Sequence, residues 1–270
     1  MKLLIIFLFP FLSAAQFSEP ARSFDTVKIQ YYADKLNEVR LFSQARQKYL
    51  DSILLEKPDI AYIWQQKAMP LFKQKKYELG LQYLDSAIKY DKTDHYFEYG
   101  AFIKCIFVKS YKSAITDFER LKTKQPIGFV MDHSYDFYTG LSYLQLNQFD
   151  KAEEYLQKSI RYSEEKWGDG HFVEYFYLGI VKMEQDDPEK ALQWFDKTLS
   201  IYPEFPDVKY YKALLFQQKN KNKEAKILIN QAMNDFSKGY TMNESNSQYE
   251  EYPYQIKETW LEIELGLIKD

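Results

Sequence analysis

One pattern constrains this chain more than any other: a small residue, a large apolar residue four positions on, and a further residue three beyond that, recurring along most of its length. The copies are Ala45-Tyr49-Ser52, Gly80-Leu84-Ala87, Ala114-Phe118-Leu121, Ala152-Leu156-Ser159, Ala191-Phe195-Thr198 and Ala225-Ile229-Ala232. Spacing of i, i+4, i+7 marks one face of a helix. The leading small residues lie 35, 34, 38, 39 and 34 apart, so each copy is one supersecondary unit that buries its apolar face only by stacking on a neighbour. Such a chain grows by addition, and its 270 residues need no division into separate cores. Only 9 Gly stand beside 24 Tyr and 20 Phe, which favours helices packed through rings over the turn-rich sandwiches and barrels.

With Pro58, Pro126 and Pro203 near repeat ends and Phe42, Tyr77, Tyr111 and Phe149 just before second helices, the pattern resembles the tetratricopeptide repeat family over roughly 26–236. The family's opening pair, an aromatic and a small residue four later, stands as Trp64 with Ala68 and Tyr175 with Gly179; Asp136 with Gly140 substitutes the first member. The third copy departs by placing Phe102 at the small position, and the first has no recognisable opening. The expected fold is therefore all-α, an α-solenoid of about six stacked antiparallel hairpins over 16–236. A segment over 237–270 follows, a polar stretch through Gln248 and then a capping helix with Ile256, Trp260, Ile263 and Leu267 on one face. Close helix approach needs small side chains, here Ala68, Gly140 or Gly179 facing Gly80, Ala152 or Ala191. The long periods place insertions at 127–132 and 163–170.

The first fifteen residues read as a secretory signal: Met1-Lys2, an apolar run from Leu3 to Leu12, then Ser13-Ala14-Ala15 before Gln16. The run is shorter than the roughly 20 residues that span hydrocarbon. Export to a periplasmic or extracellular space follows as the expectation, with no membrane span after signal removal. The single Cys105 leaves no internal disulfide and is expected to be buried and inert.

Formal net charge is -3, and no basic block tracks phosphates, which disfavours nucleic acid as a partner. A Gly-rich phosphate loop, a nucleophile elbow and zincin spacing are all absent from the sequence, so neither enzyme activity nor a cofactor is expected. In the family, ligands commonly lie in the concave groove formed by first helices. Carried over, that groove is lined by Tyr99, Phe137, Tyr138, Phe176, Tyr177, Tyr210 and Tyr211, a Tyr-rich surface suited to an extended peptide or protein partner. Tyr138, Tyr177 and Tyr211 are expected to be exposed, whereas Phe137 and Phe176 divide evenly between groove and core. Gln65, Gln66 and Met69 stand where chaperone-binding members carry a carboxylate clamp, which disfavours one here. The alternative is a glycan-binding component of an uptake or wall-associated complex, and behind it a hydrolase using Asp132, His133 and Glu174.

The three histidines, His95, His133 and His171, recur 38 residues apart. Each has an Asp just before it (Asp94, Asp132, Asp169) and a carboxylate three after (Glu98, Asp136, Glu174). Helix capping accounts for most of this, because each pair offers two ligands and successive hairpins are expected to stand too far apart for one zinc site. The sharper reading is a metal or pH-sensitive edge.

Overall fold

The computed structural model describes residues 25–268; the signal-like segment 1–15 lies outside them. The chain divides into two compact units at Pro58/Asp59. In the first, α1 (Thr26–Leu36) and α2 (Gln44–Glu56) pack as one hairpin. Asp25 and Ser43 cap them by accepting from backbone N–H groups of the first turn. Ala45 is exposed, and the burial falls instead on Leu50, Ile53 and Leu54.

The second unit stacks five hairpins: α3 (Ala61–Lys73) with α4 (Tyr77–Tyr90), α5 (His95–Ile106) with α6 (Tyr111–Lys124), α7 (Tyr135–Gln145) with α8 (Phe149–Trp167), α9 (Phe172–Glu184) with α10 (Pro188–Ile201), and α11 (Pro206–Gln218) with α12 (Asn222–Ser237). The α13 helix (Glu258–Leu267) packs on α12. The repeat positions form the core as expected: Leu84, Phe118, Leu156, Phe195 and Ile229 are all buried.

The turn inside each hairpin is the same device five times. Lys75, Lys109, Asn147, Asp186 and Asn220 take left-handed backbone with φ between 56° and 60°. In four of them the next N–H reaches back five residues, Lys76 to Leu71, Gln148 to Tyr143, Asp187 to Lys182 and Lys221 to Phe216, at 2.9 to 3.0 Å. That is the Schellman closure, which satisfies a helix-end carbonyl and reverses the chain in few residues. Helix approach also depends on missing side chains. A Cβ on Gly179 would lie 2.4 Å from the Phe195 ring, and one on Gly140 would lie 2.9 Å from Leu156 and 3.2 Å from the Ala152 carbonyl. Small residues thus admit large side chains from the partner helix as well as its small ones.

The two insertions differ from simple loops. The first folds as a two-strand antiparallel hairpin, β1 (Phe129–Val130) with β2 (His133–Ser134), pairing Val130 with His133. The second is taken up by extending α8 to 19 residues, ended by Gly168 at φ 88°. The capping-helix register also differs. Ile256, Leu261 and Ile268 are buried, while Trp260, Ile263 and Leu267 are exposed at 38%, 61% and 64%. Ile256 precedes the helix in extended chain, so spacing counted from it selects the outer face.

Candidate functional site: first helices covered by segment 240–257

The residues between α12 and α13 are not a solvated linker. Segment 240–257 crosses the first helices of the hairpins and buries Met242, Glu244, Glu250, Tyr252 and Ile256. Its attachments are polar and spread along its length. Tyr177 on α9 donates its hydroxyl to the Pro253 carbonyl at 2.9 Å, and Tyr211 on α11 donates to the Tyr254 carbonyl at 3.0 Å. Asp207, in the first turn of α11, accepts the Ile256 N–H at 2.8 Å. Toward the earlier hairpins Glu250 receives Lys109 Nζ at 3.0 Å and Lys75 Nζ at 3.8 Å, and the Tyr77 hydroxyl as well. Lys75 and Lys109 are the left-handed turn residues of successive hairpins, so the repeat itself aims two cations at one carboxylate.

This placement corrects the expected exposure of the ladder. Phe137, Tyr138, Phe176 and Tyr177 are fully buried and Tyr211 nearly so; only Tyr99 and Tyr210 are half-buried. The rings also pack on one another. Tyr138 stacks on Phe118 at 5.6 Å between ring centres and meets Phe102 edge-on at 5.5 Å, and Phe176 meets Phe205 and Tyr211 at 5.2 and 5.9 Å. An open position and a covered position on a first helix have the same sequence signature, and for Tyr138 the covering segment lies more than a hundred residues away. Burial drives the Tyr138 and Tyr177 hydroxyls far above the ordinary phenol range. The Tyr138 hydroxyl makes no hydrogen bond among the described residues.

Asp207 is held apart from solvent. Burial pushes its carboxyl up to about 7, against the opposing donation from Ile256 N–H. Cys105 matches its expectation: its Sγ lies 3.3 Å from Ser142 Oγ, and burial lifts the thiol to about 12.

The histidines separate. His95 is exposed on α5, bonded to Glu98 at 3.3 Å. His133 and His171 come together, ring centres 5.0 Å apart, although successive hairpins were expected to hold them too far apart. The β1–β2 hairpin carries His133 out of the helical register toward the N-terminus of α9, which closes the gap. Glu244 of the crossing segment meets His133 Nε2 at 3.0 Å with both side chains buried. Burial alone would depress His133, but the carboxylates around it, Glu244 first and then Glu174 and Asp132, together outweigh it and raise the imidazole above its usual value. Partial burial, and then His133, push His171 down to about 4.

Capping is done mostly by other residues than the preceding aspartates. Ser134 caps α7 by accepting Phe137 N–H at 3.0 Å, and Glu174 reaches back to His171 N–H at 3.1 Å. Asp132 accepts from Ser245 at 3.1 Å, and Glu174 accepts from Ser159. Asp132, His133 and Glu174, the residues of the hydrolase reading, are thus each engaged in a structural bond. Glu244 escaped sequence reasoning because it lies in a polar stretch with no repeat register.

Residues 140–166, the end of α7 and nearly all of α8, match the tetratricopeptide repeat family model. Among solved structures, a tetratricopeptide repeat protein from Parabacteroides merdae superimposes with TM-score 0.61 at 15% identity, covering 90% of this chain and 98% of that one. This is a tetratricopeptide-repeat fold. PilW, described as a widely conserved type IV pilus biogenesis factor, gives TM-score 0.61 at 15% identity over 78% of this chain and 93% of that one. Pseudomonas aeruginosa pilF gives 0.54 at 17% identity over 78% and 91%. No curated protein matches the sequence. Among the described residues, no helix is long and apolar enough to cross a membrane.

Proposed function

We propose that the chain is a non-catalytic scaffold for a protein or peptide partner, that its concave groove is the binding surface, and that segment 240–257 occupies the groove as an internal ligand. The observation that supports this reading is the way the segment is held. Two tyrosine hydroxyls and one carboxylate engage its main chain at Pro253, Tyr254 and Ile256, while side-chain recognition falls on Glu250, clasped by Lys75 and Lys109. Main-chain capture with a few charged anchors is how grooves recognise extended peptides. The partner class is then an extended acidic and aromatic segment resembling 240–257. With the segment in place, Tyr138 and Tyr177 have no open face on which a sugar ring could stack, which weighs against the glycan alternative.

The test is a chain ending at Gly239, checked for retained helicity, titrated with a synthetic peptide of residues 240–257. Saturable binding, weakened by Lys75→Ala and lost with Tyr177→Ala and Tyr211→Ala together, is expected. A helical truncated chain that takes up no peptide would overturn the groove assignment. We further place this scaffold in an envelope compartment or outside the cell, on the strength of the signal pattern in residues 1–15. Sequencing the N-terminus of the chain recovered from its native cells should begin at Gln16.

A further inference from the structure

We propose that His133, His171 and Glu244 form a binding site for a zinc-class divalent metal ion, which staples the crossing segment to two successive hairpins. The ligand atoms of the three side chains all lie within 4.8 Å of one another. Tetrahedral zinc, with bonds of about 2.0–2.1 Å, sets its ligand atoms about 3.3 Å apart, so small side-chain rotations complete the set. Two imidazoles and one carboxylate are a recurrent zinc donor set that leaves a fourth position open. His171 and Glu244 also line an open recess with Asp132, Asn243, Ser245 and Gln248, which gives an ion a path inward.

The ligands come from three separate places, and each is fixed by neighbours. His133 sits on β2, its ring stacked on Phe137 at 4.0 Å between centres. His171 caps α9, its backbone N–H held by Glu174 at 3.1 Å. Glu244 comes from the crossing segment, beside Ser245, which bonds Asp132 at 3.1 Å. Such outer partners are what orient metal ligands.

Tyr138 packs edge-on against His133 at 5.9 Å, and its hydroxyl is fully buried without a hydrogen-bond partner among the described residues. An ion here ties Glu244 to both hairpins and so holds segment 240–257 in the groove. The site stands on its own geometry and does not require the groove to bind a partner.

The experiment is a Co²⁺ titration of the full chain, purified without a histidine tag and followed by visible absorption, with Zn²⁺ added afterwards. The expected result is one equivalent of low-coordinate Co²⁺, displaced by Zn²⁺, with slower proteolysis within 240–257 when metal is present. His171→Ala, an exposed position that leaves the buried His133–Glu244 pair intact, should weaken binding at least about tenfold. The near-isosteric Glu244→Gln should weaken it also, and His95→Ala should not. Absence of the Co²⁺ spectrum, or a spectrum unchanged by His171→Ala and Glu244→Gln in chains of normal helicity, would overturn the site.

Discussion

Replacing Tyr177 by Phe removes a single oxygen from a fully buried ring, and the consequence can be worked from what that oxygen holds. It donates to the Pro253 carbonyl at 2.9 Å, and no other donor among the described residues reaches that carbonyl. A buried acceptor left without its donor costs about 1–3 kcal/mol. The Tyr211 hydroxyl, donating to Tyr254 at 3.0 Å in a less deeply buried bond, is worth about 0.5–1.5 kcal/mol because water replaces part of it. Both bonds join the crossing segment to the hairpins, so their loss favours release of the segment over unfolding of the helices. If protease cuts only the released form, cleavage within 240–257 scales with the open population, and a factor of ten corresponds to 1.4 kcal/mol. Tyr177→Phe should then speed cleavage by about fivefold to about a hundredfold, and Tyr177→Phe with Tyr211→Phe by more. Tyr138→Phe is the control, since its hydroxyl has no partner to lose; cleavage should stay unchanged or slow. Equal effects of Tyr177→Phe and Tyr138→Phe would refute the reasoning, because the two rings are equally buried and differ in what their hydroxyls hold.

Other perturbations address the core and the anchor at Ile256. Asp207 titrates at about 7 in the fold against an ordinary 3.8, so its favourable contribution is full below about pH 4 and is lost as pH rises through about 7. The span corresponds to at most about 4 kcal/mol. Asp207→Asn keeps an oxygen for the Ile256 N–H and cannot ionise. Urea unfolding should show it gaining on the parent chain between pH 4.5 and pH 8, and a pH-independent difference would count against a buried carboxyl. Gly179→Ala places a methyl 2.4 Å from the buried Phe195 ring and should cost about 1–3 kcal/mol in thermal unfolding; an unchanged melting temperature would deny the close approach. Glu250→Gln keeps the shape of the residue that Lys75 and Lys109 clasp but leaves the two cations unpaired. It should speed proteolysis of 240–257 in low salt more than in high salt, and a salt-independent effect would show that the ion pairs do not hold the segment.

The repeat made the hairpins legible because each copy reports the same packing contact. Leu84, Phe118, Leu156, Phe195 and Ile229 are buried for the reason their spacing implies. The aromatic ladder was legible as a set of first-helix positions but not in its exposure. Tyr138 and Tyr177 lie on first helices as expected, yet their burial is decided by Met242, Tyr252 and Pro253, which belong to a stretch whose composition reads as linker. Polar residues such as Glu244 and Glu250 are buried here because His133 and two lysines meet them, and such pairing carries no local periodicity. The meeting of His133 with His171 was hidden for a related reason. It depends on a two-residue strand pair inside an insertion, and that departs from the repeat from which distances between hairpins are inferred.

The central claim is that segment 240–257 lies in the groove as an ordered internal ligand, and amide hydrogen exchange of the intact chain tests it most directly at Ile256. Its N–H is buried against Asp207 at 2.8 Å, within a segment that has no helix of its own to protect it. The account predicts exchange slowed by orders of magnitude relative to an unstructured peptide, and accelerated by Tyr177→Phe with Tyr211→Phe while the amides of α9 and α11 stay protected. Exchange of Ile256 at the rate of a free peptide, with those helices protected, would contradict it.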